Sequence, residues 1–76
     1  MSQRESNPPK VVTVDSLPIP LVKLLKFADM VSSGGEGKYV IGEGMVKVNG
    51  AVETRKGKKI IKGDVVTFEG QRIQVT

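Results

Sequence analysis

The stretch SGGEGKYVIGEGMVKVNG, residues 33–50, decides the fold, because its apolar period changes part-way along. Ser33, Gly34, Gly35 and Glu36 form a capping box, in which the Ser33 hydroxyl accepts from the Glu36 amide while the Glu36 carboxylate reaches back. Val40 and Ile41 share a helical face with Gly37, which predicts a helix running to about Glu43 with Gly44 as its stop. Gly37 costs such a helix about 0.5–1 kcal/mol relative to alanine. Its benefit is a close approach to a neighbouring helix. From Met45 the period becomes two, with Val46 and Val48 pointing one way and Met45 and Lys47 the other. Asn49-Gly50 ends the run as a hairpin turn, since both central positions require positive φ.

Upstream, Leu21, Leu24, Leu25 and Ala28 fall at i, i+3, i+4 and i+7. This predicts a first helix from Pro20 to Val31, with Phe27 and Val31 widening the apolar stripe and Lys23 and Lys26 on the wet face. Pro20 suits the first helical turn, where a missing N–H costs nothing. Val11 to Val14 reads as a short edge strand, and residues 1–10, polar and broken by Pro8 and Pro9, as a disordered tail. Downstream, Ala51 to Thr54 forms the return strand of the hairpin, and Ile60 and Ile61 resume apolar character. Lys62-Gly63-Asp64 is a turn, Val65–Phe68 a strand, Glu69-Gly70 a turn, and Arg72 to Thr76 a strand with Ile73 and Val75 inward. The class is α+β: one domain over residues 11–76, with two helices against a small sheet of four to five short strands.

Charge adds a second layer. The 76 residues carry 12 basic and 8 acidic side chains, a net of +4. Arg55, Lys56, Lys58, Lys59 and Lys62 lie in one segment without an acid, so the rest of the chain is slightly negative. A localised basic segment attracts polyanions, nucleic acid foremost. Cysteine and histidine are absent, which excludes disulfides, thiolate nucleophiles, imidazole bases and the common zinc ligand sets. Residues 34–38 resemble a nucleotide-binding loop only superficially. The required earlier glycine is Ser32, and Tyr39 replaces the Ser or Thr after the lysine. The carboxylates show no metal-loop spacing, and no run is long enough to span a membrane. Phe27 and Tyr39 are read as core aromatics rather than a stacking platform. These features predict a non-catalytic protein without cofactor or metal.

The stretch from Ile19 to Val66 resembles the S-four-type RNA-binding domain, named after small-subunit ribosomal protein four, and within it the small stand-alone bacterial YbcJ-like family. Leu21, Leu24-Leu25-Lys26, Ala28, Gly34-Gly35-Glu36, Lys38, Val46-Lys47-Val48-Asn49-Gly50, Glu53, Arg55-Lys56-Gly57-Lys58-Lys59 and Gly63-Asp64 carry the likeness. Two positions depart from the family pattern. Pro20-Leu21-Val22 stands where such helices often open with Arg-Leu-Asp, and Gly37 stands where alanine is common.

The resemblance implies an αL-type fold and binding to structured RNA, ribosomal RNA above all, with a role in ribosome assembly or translation. The expected contacts are Lys23, Lys26, Lys38, Arg55, Lys56, Lys58, Lys59 and Lys62. Ser33, Gly34, Gly35, Glu36, Asn49, Gly50, Gly57, Gly63 and Asp64 are expected to shape the frame, with Gly57 turning the loop so that its cations face one way. The expected setting is a monomer in the cytoplasm, with no membrane partner. The alternative is a small adaptor that binds an acidic protein. A ubiquitin-like carrier would end in Gly-Gly, whereas this chain ends Gln74-Val75-Thr76.

Overall fold

The computed structural model describes residues 9–76. Its elements run β1 (Lys10–Val12), β2 (Ile19–Pro20), α1 (Leu21–Phe27), α2 (Gly34–Gly42), β3 (Val46–Val48), β4 (Ala51–Val52), β5 (Lys59–Ile60), β6 (Val65–Phe68) and β7 (Gln71–Val75). Five strands form one sheet in the order β1-β7-β6-β3-β4, with β1 parallel to β7 and the other pairs antiparallel. β2 and β5 form a second antiparallel pair, Ile19 opposite Ile60 and Pro20 opposite Lys59. The class is α+β, with two helices and a small sheet, as the sequence predicts.

Alternation builds the sheet's inner face. Val46 lies opposite Phe68, Val48 opposite Val66, and Val66 opposite Ile73, and all five are buried. They meet Leu21, Leu24 and Leu25 of α1, Val40 and Ile41 of α2, and Ile60 of β5 in one cluster. Among the described residues no buried side chain is polar or charged. The core therefore coheres through apolar burial, about 1.5–3 kcal/mol for each fully enclosed Leu, Ile, Val or Phe. Two hairpin turns carry consecutive positive φ values: Asn49 52° with Gly50 86°, and Glu69 52° with Gly70 78°.

Several expectations need correction. α1 stops at Phe27 rather than Val31, because Asp29 enters the left-handed region at φ 62° and turns the chain. Asp tolerates that region better than most residues. The Met30 N–H then donates to the Leu25 carbonyl at 2.9 Å, and Val31 is buried from outside the helix. Pro20 is the N-cap with extended ψ of 142°, not the first helical residue. Lys10, assigned to the tail, opens β1 opposite Ile73. Residues 1–8 of the expected tail lie outside the described residues. Gly57 has open space around it and no positive φ, so the loop does not need glycine there.

Candidate nucleic-acid interface

The packing of α1 on α2 creates the main surface feature. Gly37 is buried between them, and a Cβ built there would lie 2.9 Å from Cγ2 of Val22 and 3.5 Å from Cγ2 of Val31. The bare backbone therefore allows the close approach the sequence implied. Beside this contact lies a groove of about 190 Å³ lined by Val22, Lys23, Lys26, Gly34 and Lys38. Three of the expected cations, two from α1 and one from α2, thus face one concavity. Val22, its apolar side wall, is a residue that sequence reasoning missed.

The start of α2 is capped as predicted in part. The Glu36 N–H donates to Ser33 Oγ at 3.1 Å. The Glu36 carboxylate reaches one residue further than expected, accepting from the Ser32 N–H at 2.9 Å and the Ser32 hydroxyl at 2.8 Å. Those two bonds, the backbone one foremost, hold the Glu36 carboxyl below its ordinary pKa.

The start of α1 has no side-chain cap. Carbonyls of the basic segment take that role. The Leu21 N–H donates to Lys58 O at 2.8 Å and the Val22 N–H to Lys56 O at 3.1 Å, while a turn closes from Lys58 N–H to Arg55 O at 3.2 Å. The basic loop is thereby anchored to Val22, the same residue that lines the lysine groove. Lys56 and Lys59 are exposed, and Lys58 is half-buried. Lys62 sits apart, in the turn whose Gly63 N–H donates to Val75 O at 2.7 Å near the end of β7.

Arg55 is placed differently from expectation. Its Nε and Nη2 donate to the Glu53 carboxylate at 2.9 and 3.2 Å, and its backbone N–H adds a third bond at 3.0 Å. Glu53 lies just outside the acid-free segment, so counting charge within that segment missed it. The Arg55 side-chain bonds, then its backbone N–H, with help from the Lys58 charge, bring the Glu53 carboxyl down to about 2, and the Arg55 pKa is raised in turn. The Arg55 side chain remains 72% exposed.

Asn49 and Asp64 lock two turns together. Asn49 Nδ2 donates to Asp64 Oδ1 at 3.0 Å, the Val65 N–H donates to Asn49 Oδ1 at 2.9 Å, and the Ile61 N–H donates to Asp64 Oδ2 at 2.9 Å. The aromatic expectation is overturned. Phe27 is 58% exposed and Tyr39 65% exposed, because both fall on outward faces of their helices. Among the described residues there is no His, Cys, Asp or Glu group suited to a metal, and no helix long and apolar enough to cross a membrane.

Comparison with known proteins gives a consistent result. A model of the S4 domain matches residues 12–76. The chain is 49% identical over 57 residues to "Putative RNA-binding protein YbcJ" of Escherichia coli K12, covering 75% of this chain and 81% of that one. It is 41% identical over 59 residues to "Probable ribosome maturation protein RlbA" of Bacillus subtilis 168, covering 78% and 83%. The solution structure of Escherichia coli YbcJ, described as revealing an αL motif involved in RNA-binding, aligns with a TM-score of 0.69 at 40% identity over 93% of this chain and 91% of that one. With the match running from β1 to the last residue, the chain belongs to the S4-domain family, as a relative of YbcJ.

Proposed function

We propose that this protein is a non-catalytic, cytoplasmic, monomeric RNA-binding module that recognises structured RNA, ribosomal RNA first, during ribosome maturation or translation. One observation carries the reading: lysines from two helices converge on a single groove, and the basic loop is hydrogen-bonded to the wall of that groove. A-form RNA is read mainly through phosphates, 2′-hydroxyls and shape, which calls for cations on a rigid frame. Lys23, Lys26 and Lys38 supply them on the helices, and Lys56, Lys58 and Lys59 on the loop, with Lys62 peripheral. Arg55 stands beside these cations, but its pairing with Glu53 holds it back from phosphate. The names of YbcJ and RlbA, one for RNA binding and one for ribosome maturation, favour the same reading.

Salt dependence tests it. Neutralising about four to six phosphates makes log affinity for a structured ribosomal RNA fragment fall by roughly 3.6–5.4 per decade of salt. The measurement is a binding isotherm repeated from low to moderate salt. A flat response rules out phosphate contacts and points instead to a protein partner.

A further inference from the structure

Phe27 ends α1 and is 58% exposed. A lone exposed apolar residue is ordinary on a protein surface. Phe27 differs in what surrounds it, since it lines a second recess of about 260 Å³ with Thr13, Asp15, Ser16, Ile19 and Lys23. Lys23 also lines the lysine groove, so the two concavities share a wall. Helical spacing sets the order around α1: Lys26, Lys23 and Phe27 are neighbours at i+3 and i+4, running outward from α2.

We infer that the recess receives one unpaired nucleobase, stacked on Phe27, from the RNA strand whose phosphates lie on Lys23, Lys26 and Lys38; this rests on the RNA-binding reading above. Charge selects a base over a further phosphate. Asp15 is a carboxylate on the recess wall and repels a phosphate, whereas it accepts hydrogen bonds from the N–H edge of a base, and the Ser16 hydroxyl can do the same. An aromatic face beside a cation is the usual means of holding an unstacked base. The volume lies below the roughly 300–1,000 Å³ typical of small-molecule pockets, in keeping with a single base. The preferred target is therefore a duplex that ends in, or is interrupted by, an unpaired nucleotide, rather than a continuous duplex.

The test uses three RNA hairpins with the same stem: blunt, with one 3′ guanosine overhang, and with one 3′ abasic overhang. The wild-type protein should bind the guanosine form about tenfold tighter than the other two, within the range that one stacked base contributes. Phe27→Ala should abolish that preference without changing affinity for the blunt hairpin, and Phe27→Trp should keep it. Equal binding of the abasic and guanosine forms would mean that the recess takes a phosphate, and overturns the inference. So does a Phe27→Ala protein that keeps the preference or weakens all three RNAs alike. If the wild-type protein binds none of the three at low salt, the RNA-binding reading itself fails.

Discussion

Three glycines make different demands on their positions. Gly37 is needed for space: its missing Cβ would stand 2.9 Å from a methyl of Val22, a β-branched side chain with little rotamer freedom. Gly37→Ala gains helix propensity but overpacks the helix contact, a change that usually costs 1–3 kcal/mol. The expected net is a loss of about 1 kcal/mol, a drop of roughly 4–8 °C in Tm for a domain of this size. A raised midpoint on thermal melting would show that Val22 gives way freely. Gly50 is needed for its backbone: it has φ 86° and open space around it. A β-branched residue resists that conformation, so Gly50→Val should lower Tm while touching nothing. Gly57, also in open space but without positive φ, is needed for neither reason. Gly57→Ala should leave Tm unchanged or raise it slightly through the unfolded chain, by about 0.4–1 kcal/mol at most. Equal losses at Gly50 and Gly57 would contradict the two backbone conformations. Sequence reading grouped Gly57 with the turn glycines because it sits among cations, and position in a loop does not reveal φ.

At the scale of elements, the basic loop does two jobs. Its carbonyls cap α1, and its side chains present charge, but Glu53 holds one of those charges back. The sign of the pH effect follows from the direction of the shift. The Glu53 carboxyl, brought from 4.5 to about 2, favours the folded loop above its ordinary pKa and loses that contribution as pH falls from about 4.5 towards 2. An NMR titration of the Glu53 carboxyl should give a midpoint near 2, returning to the ordinary range in Arg55→Gln. A midpoint of about 4 in the unaltered protein would mean that the pair is open in solution. For RNA, Glu53→Gln frees the guanidinium to fork onto a phosphate, so affinity should rise and the salt slope should steepen by about one. An unchanged slope would show that Arg55 already leaves Glu53 when RNA arrives, or never reaches it. The elements themselves were unevenly legible. Asn49-Gly50, Gly63-Asp64 and Glu69-Gly70 were readable because a turn that needs positive φ restricts residue type. The β2–β5 pair was not, because two residues cannot display a period, and its partners are 41 positions (Ile19 and Ile60) and 39 positions (Pro20 and Lys59) apart along the chain. The end of α1 was read four residues late, since Val31 remains apolar and buried after the chain has left the helix at Asp29.

At the scale of the whole molecule, the question is whether binding is local or merely a response to net charge. The sequence showed the basic residues but not their convergence. Lys23, Lys26 and Lys38 come from two helices, and only the packing at Gly37 brings them to one groove. Two variants separate the cases. Replacing Arg55, Lys56, Lys58 and Lys59 with glutamine takes the formal charge from +4 to 0, and replacing Lys23, Lys26 and Lys38 takes it to +1. All of these residues but the half-buried Lys58 are exposed, and exposed substitutions usually shift stability by no more than about 0.5 kcal/mol each, so both proteins should stay folded. If each groove lysine meets one phosphate, the second variant should lose about 2.7 from its salt slope, and affinity at moderate salt should drop about a hundredfold or more. Lys47 is the internal control. It lies between Val46 and Val48 in β3, and since those two point into the core, its side chain leaves the sheet on the face away from them. Lys47→Gln removes one positive charge from that face and should leave affinity almost unchanged. Binding isotherms and melting curves on these three variants and on Lys26→Gln decide the matter. If Lys47→Gln weakens binding as much as Lys26→Gln does, the RNA responds to the overall field of the protein, and the groove is not the site.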